Sequence, residues 1–187
     1  MGIGLLVVVA VVVLWVVSAY NRLISLKNQV ANAWKQIDVQ LKRRHDLIPN
    51  LVNAVKGAMD FEKSTLEAVI SARNKAVSAV GTGVAQVAAA EGQLTQALGR
   101  LFALSENYPQ LKATANIQQL QEELTSTENK VGFARQLYND VATSYNTAQQ
   151  QFPTNQVAGF AKAVPAELWQ IEDAAERAVP NVDLRMS

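Results

Sequence analysis

The first twenty residues constrain this chain more than any other part of it. From Met1 to Tyr20 no side chain is charged, and Ile3 to Val17 reads IGLLVVVAVVVLWVV, with twelve Ile, Leu or Val residues. Twenty helical residues reach about 30 Å, the thickness of a bilayer's hydrocarbon core. Twelve such side chains favour insertion by roughly 4 to 7 kcal/mol, at about 0.3 to 0.6 kcal/mol each. A buried strand is too short an alternative, since strands usually stop at about 4–8 residues. A cleaved signal peptide is the stronger rival, because Val17-Ser18-Ala19 resembles a small-residue cleavage site. Against it, no Lys or Arg precedes the run, and the run lies at the long limit for a signal peptide. A transmembrane anchor is therefore expected over residues 1–21, built on Ile3, Leu5, Leu6, Val9, Val13, Trp15, Val17 and Tyr20.

Flanking charge sets the expected orientation. Arg22, Lys27 and Lys35 follow the span, and the first acid is Asp38. The excess of cations after the span places the C-terminal part in the cytoplasm. The same cations lie near the lipid surface, where each contributes about 1 kcal/mol with anionic headgroups. Elsewhere charge is balanced: 17 Lys and Arg against 16 Asp and Glu leave +1. That balance lacks the basic footprint of a nucleic-acid ligand.

The remainder reads as all-α. Of 187 residues only 6% are aromatic, while 28 are Ala and 16 are Gln, a mixture that favours helices over sheets. No Gly or Pro occurs between Leu5 and Ile48, so the membrane helix has no signal to stop at the interface. Its apolar residues then recur at Leu23, Leu26, Val30, Trp34, Ile37, Leu41, His45, Ile48 and Val52, three sets displaced by eleven positions. An eleven-residue period keeps the stripe on one face of a nearly straight helix. Pro49 removes a hydrogen-bond donor, so a kink or break is expected there. Asp60 as N-cap, with a Ser64-to-Glu67 capping box, opens a second helix through Val69, Ile70, Ala76, Val77 and Val80. Gly81-Thr82-Gly83 ends it, and a third helix runs from Val84 to Phe102. In the fourth, Ile117, Leu124, Val131, Tyr138 and Tyr145 hold one heptad position and Leu120, Thr127, Ala134, Val141 and Ala148 the other. The expected architecture is a transmembrane helix continuing into an up-and-down four-helix bundle over 22–151, with a tail over 152–187 docked through Phe160, Leu168 and Trp169.

Chemistry is scarce. Any triad or imidazole metal site must use His45, the only histidine, and that residue lies on the apolar stripe. A core histidine is the reading that position supports. There is no cysteine to act as nucleophile or ligand. Gly81-Thr82-Gly83 lacks the spacing and the Lys-Ser/Thr of a phosphate loop. No cofactor or metal is expected. One stretch is over-specified: Gln40 to Val52 holds three consecutive cations, an acid and a proline inside an apolar helix. Asp38 and Lys42 are correctly ordered for an i,i+4 pair, while Arg43 or Arg44 is expected to meet an acid on another helix or subunit.

That stretch, Lys42-Arg43-Arg44-His45-Asp46-Leu47-Ile48-Pro49-Asn50-Leu51-Val52 followed by Val55-Lys56-Gly57, resembles the signature of the LemA family. The likeness extends through Glu62, Glu67, Val69 and Ala72-Arg73, and again to Tyr145-Asn146 and Phe152-Pro153. It departs at Ala58-Met59 and Phe61, where a tyrosine and a histidine are usual. The resemblance implies a single-pass protein of the bacterial inner membrane with a helical-bundle domain, and it supplies no enzyme activity. A magnetosome-associated member extends the analogy to membrane organisation. The expected function is a self-associating, homo-oligomeric scaffold that shapes the bilayer. The alternative is an adaptor for an envelope protease or another membrane protein.

Overall fold

A computed structural model describes residues 2–57, 62–112 and 114–170. It is all-α, with no strand among the described residues. Among the described residues six helices follow in order: α1 (Gly2–Lys56), α2 (Lys63–Ala79), α3 (Val84–Ser105), α4 (Pro109–Lys112), α5 (Ala115–Gln150) and α6 (Thr154–Phe160). The four long helices that the bundle requires are all present. The chain falls into two compact units, one built from Met1–Leu47 and Gln121–Trp169, the other including Ile48–Leu120.

In the first unit α1 changes environment without changing conformation. Every described side chain from Gly2 to Ser18 is exposed, and Ala19 is the first buried one. Among the described residues α1 is the one helix long and apolar enough to cross a membrane. Beyond Ala19 the eleven-residue stripe turns inward: Leu23, Ile37, Leu41 and His45 are buried. α5 runs antiparallel to this part of α1, because Trp34 packs against Tyr138 at 5.3 Å while Arg44, further along α1, pairs with Glu128, further back along α5. The heptad residues Leu124, Val131, Tyr138, Tyr145, Thr127, Ala134 and Ala148 are buried as expected.

The tail holds more order than its turn residues predict. α6 brings Val157 and Ala158 into a core cluster with Ala19, Leu23, Tyr145 and Ala148. Trp169 is buried, whereas Phe160 is 91% exposed and covers no core. Residues 171–187 lie outside the described residues.

In the second unit Pro49 does not end α1, which continues to Lys56. Proline inside a helix costs about 3 kcal/mol. The side chains of Ile48, Leu51, Val52 and Val55 on the same turns are buried, each worth about 1.5–3 kcal/mol, so packing outweighs the lost bond. Pro49 itself points to solvent. α2 begins one position ahead of Ser64, after Glu62, with no side-chain cap bond, so the Ser64 capping box does not form. Asp60, Ala58, Met59 and Phe61 lie outside the described residues. The buried face of α2 is Leu66, Val69, Ala72 and Ala76; Ile70, Val77 and Val80 are exposed. A mixed face of Ala and branched residues let either side pass as the apolar one. Between α2 and α3, Gly81 and Gly83 take φ of 84° and 133°, which side-chain-bearing residues rarely adopt.

Candidate functional site

The signature stretch lies across the last turns of α1. Its charged residues divide by burial. Lys42 donates to Asp46 at 3.0 Å on the exposed face, so the pair runs forward along the helix and not back to Asp38. Such an exposed pair contributes about 0.3–0.5 kcal/mol. Arg44 is buried, and its Nη2 reaches Glu128 Oε2 on α5 at 2.8 Å. Arg43 approaches Glu123 at 3.9 Å from a half-exposed position. The expectation of a cross-helix partner is thus met within the chain. His45 is buried beside them on the apolar face. Asp38 is half-buried, and the loss of water raises its carboxyl above the usual range.

The rest of the signature is packing and surface. Ile48, Leu51 and Val52 are buried, Leu47 is half-buried, and Pro49, Asn50, Lys56 and Gly57 are exposed. Arg73, half-buried on α2, donates from Nη1 to Asn74 at 3.3 Å. Before the first turn of α2, the Tyr108 hydroxyl donates to Glu62 Oε1 at 3.1 Å, and partial burial together with that carboxylate raises the phenol's pKa.

The most specific construction in the first unit is a pair of asparagines that hold the tail in place. Asn146 Nδ2 donates to the Ala166 carbonyl at 2.8 Å and its Oδ1 accepts from the Ala166 amide at 2.7 Å. Asn139 repeats both bonds on Trp169, each at 2.9 Å. Seven helical residues advance about 10.5 Å and three extended residues about 10 Å, so two turns of α5 match one extended three-residue step. Between them the Tyr138 hydroxyl donates to the Glu167 carbonyl at 2.7 Å. Burial, and then the Glu167 carboxylate, raise the pKa of that phenol. The Trp169 ring lies 6.0 Å from Trp34 and under Arg135, whose Cζ is 5.7 Å from the ring centre. A clamp that binds main-chain amides reads extended backbone with little regard to side chain.

Sequence reasoning passed over Asn139 and Arg135. The available signal was the pair of asparagines one heptad apart, ahead of a proline-bearing tail. Among the described residues no cluster of His, Asp or Glu could hold a metal ion.

Comparison with known proteins places these features. Protein LemA of Metamycoplasma hominis is 27% identical over 165 residues, covering 88% of this chain and 75% of that protein. Magnetosome protein MamQ 2 of Paramagnetospirillum magneticum is 24% identical, over 84% of this chain and 66% of its own length. Magnetosome protein MamQ of Magnetospirillum gryphiswaldense is 23% identical, over 74% of this chain and 60% of its own length. The chain therefore spans two thirds or less of these two magnetosome proteins. The model of the LemA family matches residues 33–184, well over half the sequence, and takes in both the signature on α1 and the asparagine pair on α5: the chain belongs to the LemA family.

Proposed function

We propose that this protein is a non-enzymatic, membrane-anchored scaffold whose copies associate laterally and thereby organise the bilayer. The observation that carries the reading is an uncovered apolar groove between α1 and α5. Val39, Phe133 and Leu137 line it, with Val39 63% and Phe133 74% exposed, and Lys35 and Lys130 stand at its edge. Adjacent exposed apolar side chains of this size are characteristic of interaction surfaces. The continuity of α1 from Gly2 to Lys56 supports mechanical coupling, because contacts made at the groove are transmitted along one helix to the span. The anchor lies in the bacterial inner membrane with the helical units in the cytoplasm. Proteolysis of a C-terminal tag from outside intact cells would reverse that orientation.

Mass photometry of the detergent-extracted full-length protein tests the scaffold. Species well above the 20.3 kDa monomer are expected, and Phe133→Ser should shift them to monomer with helicity unchanged. Monomers throughout would discard the scaffold in favour of the adaptor. One observation favours that second reading: the backbone-reading clamp of Asn139 and Asn146 suits an extended peptide, and a partner's segment could exchange with the tail.

A further inference from the structure

We propose that the end of the first unit formed by the α5–α6 turn, α6 and the residues after it is a lipid-binding surface. Phe152, Phe160 and Val164 enter the interfacial layer of the leaflet from which α1 emerges. The inference rests on the reading of Gly2–Ser18 as a membrane span and adds a second, peripheral contact to it.

The register of α1 against α5 sets the height of this surface. Trp34 meets Tyr138 and Arg44 meets Glu128, so ten residues forward on one helix are ten back on the other. Twelve residues further towards the span, the same register sets Gln150, the last residue of α5, level with Arg22. Phe152 follows two residues on, in the turn between α5 and α6. α6 confirms this height independently, because Val157 and Ala158 pack on Ala19 and Leu23, the first buried residues after the exposed span. A span of about twenty residues leaves the hydrocarbon at this point.

The side chains exposed here have the chemistry of an interface. Phe152 is 81% exposed, Phe160 91% and Val164 75%, while Tyr20 on α1, between Ala19 and Leu23, is 45% exposed. Aromatic residues collect at the headgroup boundary, where an apolar ring loses water without leaving its polar surroundings. Arg22 and Lys162 are exposed alongside them. Lys162 occupies the left-handed position that ends α6, with φ of 47°. The Ala163 amide bonds the Ala158 carbonyl and the Lys162 amide bonds that of Gly159, a closure in which glycine is usual. A lysine at that position brings an ammonium to the headgroup level. The exposed span ends at Ser18, directly before the α1 residues that share a cluster with α6, so the bilayer is the occupant that the geometry selects.

The chain has no cysteine, which makes single spin labels unambiguous. Full-length Phe152→Cys, Phe160→Cys, Val9→Cys and Thr125→Cys would each be labelled and reconstituted in phosphatidylcholine–phosphatidylglycerol vesicles. Collisions with oxygen and with a water-soluble nickel chelate would then be measured. Thr125 is exposed outside the groove, and the register places it level with Leu47, about 40 Å along the helix axis from Tyr20. Labels at 152 and 160 should show several-fold fewer chelate collisions than the label at 125, and more oxygen collisions. Chelate access at 152 and 160 equal to that at 125, with the label at 9 shielded, would overturn the lipid-binding surface and leave the span intact. Chelate access at 9 would overturn both. Spin–spin broadening at 152 or 160 that disappears on dilution with unlabelled protein would assign the surface to a second copy instead.

Discussion

Arg44 and Glu128 join α1 to α5 through a 2.8 Å ion pair in which the arginine side chain is only 3% exposed and the glutamate 36%. Removing one member of a buried pair leaves the other charged without its partner, which costs more than the pair itself contributes. The exposure of Glu128 moderates this through solvent screening. Glu128→Ala is expected to lower stability by about 1–3 kcal/mol, and Glu128→Gln, which keeps an acceptor, by less. Urea unfolding of the detergent-solubilised protein reads the difference. Equal midpoints for both variants and the parent would deny the pair a structural role.

The eleven-residue stripe makes a sharper contrast between neighbours. Ile37 is fully buried, whereas Val39, two positions on, is 63% exposed. Ile37→Ala should cost about 2–5 kcal/mol through lost burial and the cavity left behind. Val39→Ala should stay within about 0.5 kcal/mol of the parent in the monomer. Comparable losses at both positions would contradict the assigned face.

Asn139 and Asn146 each make two bonds to the tail backbone. At about 0.5–1.5 kcal/mol per bond, Asn146→Ala should weaken local closure by about 1–3 kcal/mol. Hydrogen exchange at the Ala166 amide should therefore accelerate by roughly 5- to 150-fold, since each 1.4 kcal/mol is about a factor of ten. Amides near Ile37 should be unaffected. Unchanged protection at Ala166 would mean that Trp169 holds the tail without the clamp.

Asp38 makes stability depend on pH. Burial raises its folded-state pKa above the ordinary value of 3.8. The folded protein then binds this proton more tightly than the unfolded chain, so stability falls as pH rises from 3.8 through the raised value. Below 3.8 both states are protonated and the effect vanishes. Asp38→Asn should stabilise the protein at neutral pH and lose that advantage on acidification. Melting curves across that range check the sign; destabilisation at neutral pH would place a favourable partner on the carboxylate.

Periodicity made α1 and α5 legible because each long helix presents one repeating face, and repetition over several turns outweighs any single ambiguous residue. The same method misread α2, where alanines and branched residues share both faces and the buried one follows Leu66 and Ala76. It overestimated Pro49, because the stripe already ran past it through Ile48 and Val52, and the burial of these with Leu51 outweighs the lost hydrogen bond. Within the candidate site the cross-helix role of Arg44 could be anticipated from a cation on an apolar helix, but not the identity of its partner.

By itself, then, the sequence determined the helical class, the apolar span and the faces of the two longest helices, because these depend on composition and on spacing along one chain. Tertiary structure decided that Glu128 answers Arg44, that Asn139 and Asn146 grip an extended tail, and that Val157 and Ala158 of α6 join Ala19 and Leu23 in one cluster. Each of these depends on the register between segments distant in sequence, and only antiparallel packing of one helix on another sets that register.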